Sequence, residues 1–108
     1  MRSGLVPDRG DILFLDGGAG QRGRAPALIV SPRAYNRATG LALACPIIQT
    51  PGGYPFEVLL PGSLGIAGAV LADRPQSLDW RSRRPEFAAH APKAVLEEIA
   101  AKIAVLLE

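Results

Sequence analysis

Short apolar runs broken by glycine and proline recur along most of the chain, and one helical stripe follows them. Asp11 to Asp16 (DILFLD) predicts a strand buried on both sides at its middle, and Pro26 to Ser31 (PALIVS) predicts a second. Gly40 to Ile48 is an apolar run of strand length, too short and too Gly/Pro-bounded for a core helix. Gln49-Thr50-Pro51-Gly52-Gly53 is turn chemistry, because glycine supplies positive φ and proline presets φ for a bend. Tyr54 to Val58 then alternates, with Tyr54, Phe56 and Val58 on one face; Pro55 cannot donate to a ladder, so this strand begins at an edge or a bulge. The two runs predict a hairpin at the centre of the fold. Ala69 to Ala72 and Ser77 to Trp80 read as short strands, Arg33 to Gly40 as a loop or one turn of helix, and Arg81 to Glu86 as a basic loop. Beyond Pro92, Val95, Leu96, Ile99, Ile103, Leu106 and Leu107 recur at three- and four-residue steps, predicting a helix from about Pro92 to Leu107. The sum is a mainly β fold: five or six mostly antiparallel strands in a small barrel, with the helix laid across it, in one domain over residues 1–108.

Composition narrows the class. With 48% hydrophobic residues the chain folds rather than staying disordered. The lone Cys45 leaves no disulfide framework, which fits a cytoplasmic setting, and it reads as a small buried hydrophobe. One histidine and one cysteine are too few soft ligands for a zinc site. The N-terminus lacks a signal peptide's apolar core, and no apolar run nears the roughly 20 residues that span a bilayer, so no membrane is expected. A net charge of +2 says little, but ten of the twelve basic residues are arginines. Arg22, Arg24, Arg33 and Arg37 form one group, and Arg81, Arg83 and Arg84 a second after Trp80. Arginine forks match phosphate geometry, so the groups suit a nucleic acid or an acidic protein; solvated loops account for them equally well.

The loop Gly17 to Gly23 (GGAGQRG) is not a dinucleotide fingerprint, since its glycine spacing is wrong and no helix follows. The polar groups expected near the central turn are Gln49, Thr50, Gln21, Arg22, Arg24 and Asp73. An arginine holds a phosphate and stabilises charge that builds on it, and a carboxylate can take a proton from a ribose 2′-hydroxyl. Such a set suits metal-free RNA cleavage in which the 2′-oxygen attacks its own phosphate. Asp73 is equally a turn residue bonding to backbone amides.

VPDRGDI near the start, then PALIVSP with YNRATG, then GYPFEV, then LADRPQSLDWRSR follow in an order that resembles the MazF/PemK family of toxin endoribonucleases over essentially the whole chain. The resemblance implies an SH3-like β-barrel of the MazF/CcdB type and a homodimer. It implies cleavage of single-stranded RNA without metal or cofactor, and an antitoxin whose acidic tail covers the RNA site. It places RNA binding at Asp16, Gln21, Arg22 and Gln49, and the chemistry at Arg24, Ala25, Ile48, Thr50 and Asp73. The departures lie at that chemistry. The family carries its main catalytic arginine immediately before the proline of the second strand, where this chain has Ala25; Arg24 is one place early, and a one-residue offset in a strand turns a side chain to the opposite face. Ile48 stands at the family's catalytic threonine, with Thr50 two residues later. These departures imply impaired cleavage, or a member that binds RNA and antitoxin without cutting. The ending Leu106-Leu107-Glu108 is unlike the Trp-Gly-Ile-like tail of gyrase-poisoning relatives on the same barrel.

Overall fold

The computed structural model describes residues 5–17 and 23–108. In chain order it contains β1 (Asp11–Asp16), β2 (Arg24–Ile29), α1 (Arg33–Thr39), β3 (Leu41–Ile48), β4 (Glu57–Leu59), β5 (Ala69–Leu71), β6 (Gln76–Asp79), β7 (Glu86–His90) and α2 (Lys93–Leu106). Seven strands make one antiparallel sheet in the order β4-β5-β3-β2-β1-β7, with β6 paired to β3. The apolar run of β3 is the hub because it is long enough to serve two partners along one edge. Leu41 to Ala44 pair with β6, and Ile47 and Ile48 pair with β5. Pro46, with no N–H to donate, falls between those two ladders.

Two expectations are corrected. The sheet is open rather than a closed barrel, since β4 and β7 end the strand order without pairing. α2 packs on it, its Val95 and Ile99 entering one core with Val58, Leu60, Ile12 and Leu28. Nor do β3 and β4 form a hairpin: β5 lies between them and pairs with both. The Glu57 carboxylate accepts from the Gly52 and Gly53 amides at 3.0–3.1 Å, so GYPFEV opens as a gathered turn and β4 begins only at Glu57. Tyr54 stands exposed in that turn rather than on a strand face. The β5 backbone then approaches β3 at Gly68 (φ +128°), where an added Cβ would stand 1.9 Å from the Ile48 carbonyl oxygen.

The expected helix is present within a residue of its predicted ends. Its last apolar residues, Leu106 and Leu107, are exposed rather than buried. Among the described residues no helix is long and apolar enough to cross a membrane. Two elements exceed the sequence reading: α1 runs seven residues, and β7 adds an edge strand beside β1.

Register decides which side chains share a face. Leu15 pairs with Ala25, Leu13 with Ala27 and then Pro46, Ile29 with Ala44 and then Gln76, and Ala42 with Leu78. Those residues lie on one face, while Ile12, Leu28 and Cys45 lie on the other, beneath α2. The first face carries a second core of Leu13, Leu15, Ala27, Ile29, Ala42, Ala44, Leu78 and Trp80.

Candidate active site

The first face ends in an open cleft of about 290 Å³. Small residues line it, Ala25, Pro26 and Ala27 from β2 with Ala44 and Pro46 from β3, together with Leu15, Asp16 and Gly17 at the end of β1 and Gln76, Leu78 and Arg83 from β6 and the turn after it. Arg83 comes from a 3-10 turn, Arg81–Arg83, that follows β6. Its Nη1 donates to the Asp16 carbonyl oxygen at 2.7 Å, which sets the guanidinium at the cleft edge.

The sequence-predicted site residues divide. Asp16 and Ala25 are at the cleft. Ile48 lies two residues beyond the last β2–β3 pair, Ala27 with Pro46; it pairs with Ala69 of β5 and does not line the cleft. Arg24 is not in the cleft: it pairs with Asp16 on the other face and reaches across β1. Its Nη1 donates to Asp16 Oδ1 at 2.6 Å, and its Nη2 donates to the carbonyls of Phe14 at 3.0 Å and Arg84 at 2.5 Å, with Glu86 Oε1 3.7 Å away. The expected one-residue offset is therefore seen in the backbone, and four partners tie the guanidinium to that side. Gln49 and Thr50 are exposed just beyond β3, and Asp73 is exposed in the turn after β5; none of the three lines the cleft. Gln21 and Arg22 lie outside the described residues. Sequence reasoning missed Arg83 and Gln76 as cleft residues. The signal for Arg83 was its place in the second arginine group, without anything to say which of the three turns inward. Burial, and after it the Asp73 charge, push the Cys45 thiol up to about 11, so it stays protonated and unreactive near neutral pH.

Most of the other sequence signatures serve a different place, the corner around α1. Asn36 is fully buried; its Nδ2 donates to the Pro7 carbonyl at 2.8 Å and the Ser31 carbonyl at 3.0 Å, and its Oδ1 accepts from Ser31 Oγ at 2.5 Å. The Trp80 indole N–H donates to the Asn36 carbonyl at 3.1 Å. Arg81 stacks over the Trp80 ring, 4.8 Å from its centroid, and donates to the Arg37 carbonyl. VPD, PALIVSP, YNRATG and the Trp-Arg pair thus meet in one hydrogen-bonded knot. Within the second arginine group, Arg81 braces this knot while Arg83 and Arg84 turn toward Asp16, Arg84 Nε lying 3.9 Å from Asp16 Oδ2.

Comparison with known proteins agrees with this fold. Residues 8–107 match the family described as PemK-like, MazF-like toxin of type II toxin-antitoxin system. The chain is 40% identical over 111 residues to the endoribonuclease toxin MazF of Escherichia coli K12, covering 99% of each chain. It is 33% identical to the endoribonuclease PemK of Escherichia coli, covering 93% of this chain and 81% of that one. The crystal structure of MazE-MazF from Deinococcus radiodurans superposes with a TM-score of 0.91 at 52% identity, covering 95% of this chain and 97% of that chain. From the knot of signature residues, the open seven-stranded sheet and these matches together, the chain belongs to the PemK-like, MazF-like toxins of type II toxin–antitoxin systems.

Proposed function

We propose that this protein is a toxin endoribonuclease that cleaves single-stranded RNA in the cleft between β1, β2 and β3 and is held in check by a cognate antitoxin with an acidic tail. The observation that carries the reading is the cleft itself, which opens at Ala25, the position where the family bears its catalytic arginine. Its volume of about 290 Å³ and its small lining residues leave room for a ribose and its phosphate, and Arg83 at its edge supplies a positive group for the RNA backbone. The reaction needs no group from outside. The ribose 2′-oxygen attacks the adjacent phosphorus, the P–O2′ bond forms as the P–O5′ bond breaks, the 2′-hydroxyl proton passes to water, and the 5′-oxygen takes a proton from water. The products are a 2′,3′-cyclic phosphate and a 5′-hydroxyl. Gln49 and Thr50, exposed beyond β3, are where the substrate strand would run on from the cleft. The working form is a homodimer in the cytoplasm; the exposed apolar residues Val105, Leu106 and Leu107 at the end of α2 supply surface for a second copy.

Ala25 favours a second reading, a member that binds RNA and antitoxin without cutting. Time-resolved digestion of a long single-stranded RNA in EDTA, by the chain and by Ala25→Arg, separates the two. Discrete fragments ending in a cyclic phosphate, from either protein, support the nuclease. Intact RNA with both proteins, at concentrations where both bind it, establishes the binding member instead.

A further inference from the structure

We propose that Arg83 supplies the guanidinium that meets the scissile phosphate in this chain, working from the turn after β6 into the cleft that Ala25 also lines. This rests on the nuclease reading above and assigns its charge to a different element. Ala25 leaves β2 with nothing that carries charge, so the positive group has to come from another strand or turn. Three arginines stand near enough to Asp16 to be considered, and their surroundings separate them. Arg24 points to the opposite face of the sheet and spends its donors on Asp16, Phe14 and Arg84. Arg84 sits at φ +49°, its side chain is 81% exposed, and its Nε lies near the Asp16 carboxylate rather than the cleft. Arg83 alone of the three lines the cleft.

Two further features suit Arg83 to the role. Among the described residues its side chain hydrogen-bonds a carbonyl alone, the 2.7 Å bond from Nη1 to Asp16, which orients the fork without neutralising it. Among the described residues Arg24 and Arg84 are ion-paired with carboxylates and Arg83 is not, so its full charge faces the cleft. A guanidinium has five N–H donors. With one committed to Asp16, the others remain for the non-bridging oxygens of a phosphate, whose negative charge grows as phosphorus becomes five-coordinate. The partial burial of Arg83 strengthens that interaction over what a fully solvated arginine would give. Ala25 lines the same cleft and brings only a methyl group to it.

Arg83→Gln tests the assignment, because glutamine keeps a polar side chain at this turn while removing the charge. Digestion of a long single-stranded RNA in EDTA gives kcat and KM for the parent, Arg83→Gln, Ala25→Arg and the double variant. We expect the parent to cleave, Arg83→Gln to lose about a hundredfold or more in kcat with KM shifted far less, and its thermal melt to match the parent. Ala25→Arg in the Arg83→Gln background should restore at least about tenfold, since it returns a guanidinium to the same cleft. Cleavage by Arg83→Gln within about threefold of the parent overturns the role. So does a loss that Ala25→Arg fails to recover, which would mark a positional defect rather than a missing charge. A silent parent beside an active Ala25→Arg overturns Arg83 and leaves the nuclease reading standing. Silence from both proteins defeats the nuclease reading as well.

Discussion

The α1 corner and the β1–β2 cleft use the same residue types to opposite ends. At the corner, polar groups are buried and every bond closes on the protein: Asn36 ties Pro7, Ser31 and Trp80 together, and Arg81 caps the indole. At the cleft, the floor is apolar and small, and Arg83 is anchored at one nitrogen only. A buried amide with all its partners specifies one arrangement, and leaving any partner unpaired is costly. An open guanidinium specifies little about the fold and much about what can approach. The stretches by which the family is recognised lie mostly at the corner, so recognition is strong where structure is at stake and thin where the chemistry is. That is why a chain can keep nearly every signature while changing both Ala25 and Ile48.

The sharpest way to break the comparison is Asn36→Leu. It removes both amide donors and the acceptor for Ser31 Oγ inside a sealed site, and should cost about 3 kcal/mol, lowering Tm by on the order of 15 °C. A denaturant titration showing under about 1 kcal/mol would mean the corner is not the strut described. Arg24→Ala probes the border between the two regions. Its contacts are partly solvated, so stability should fall by no more than about 1 kcal/mol, and RNA cleavage should stay within about threefold of the parent. A hundredfold loss of cleavage at unchanged stability would put Arg24 in the chemistry after all. The smallest effect belongs to Asp8. Burial pushes its carboxyl up, but the Arg33 and Arg9 amides and the Arg33 charge outweigh that and hold it below the usual carboxylate range. A folded-state pKa below the unfolded one gives stability that is present above the ordinary carboxylate pKa and lost as pH falls through the folded value. Asp8→Asn should therefore cost a few tenths of a kcal/mol at pH 7 and flatten the loss of stability between about pH 4 and pH 2, read by urea midpoints across that range.

How far the sequence carried depended on what held each element. β1, β3, β5 and α2 are held by apolar burial, and their runs and stripe mark them within one or two residues. α1 buries only Asn36 and is tied down by polar contacts at Arg33, Asn36 and Arg37, with no apolar face to give it a period, so its length could not be read. β7 is an edge strand whose register shifts against β1 between Ile12 and Leu13, and EFAAH has no clean alternation. The order β4-β5-β3 was hidden because pairing of non-adjacent segments leaves no local mark, whereas a turn between neighbours does. At the site, the offset of Arg24 was legible because strand periodicity fixes which way successive side chains point. Arg83 was not, since nothing local distinguishes a turn arginine aimed inward from its neighbours.

The bond that sets Arg83 at the cleft joins residues 67 positions apart. Synthesis delivers the N-terminal half first, and structure accrues as the chain emerges. β1, β2 and β3 can assemble a floor early, but the charged wall is missing until the turn after β6 has left the ribosome, and Val95 and Ile99 of the final helix are still needed to complete the core behind it. On the proposed assignment of the cleavage charge to Arg83, a nascent chain would leave the message being read intact until translation of that message is nearly finished.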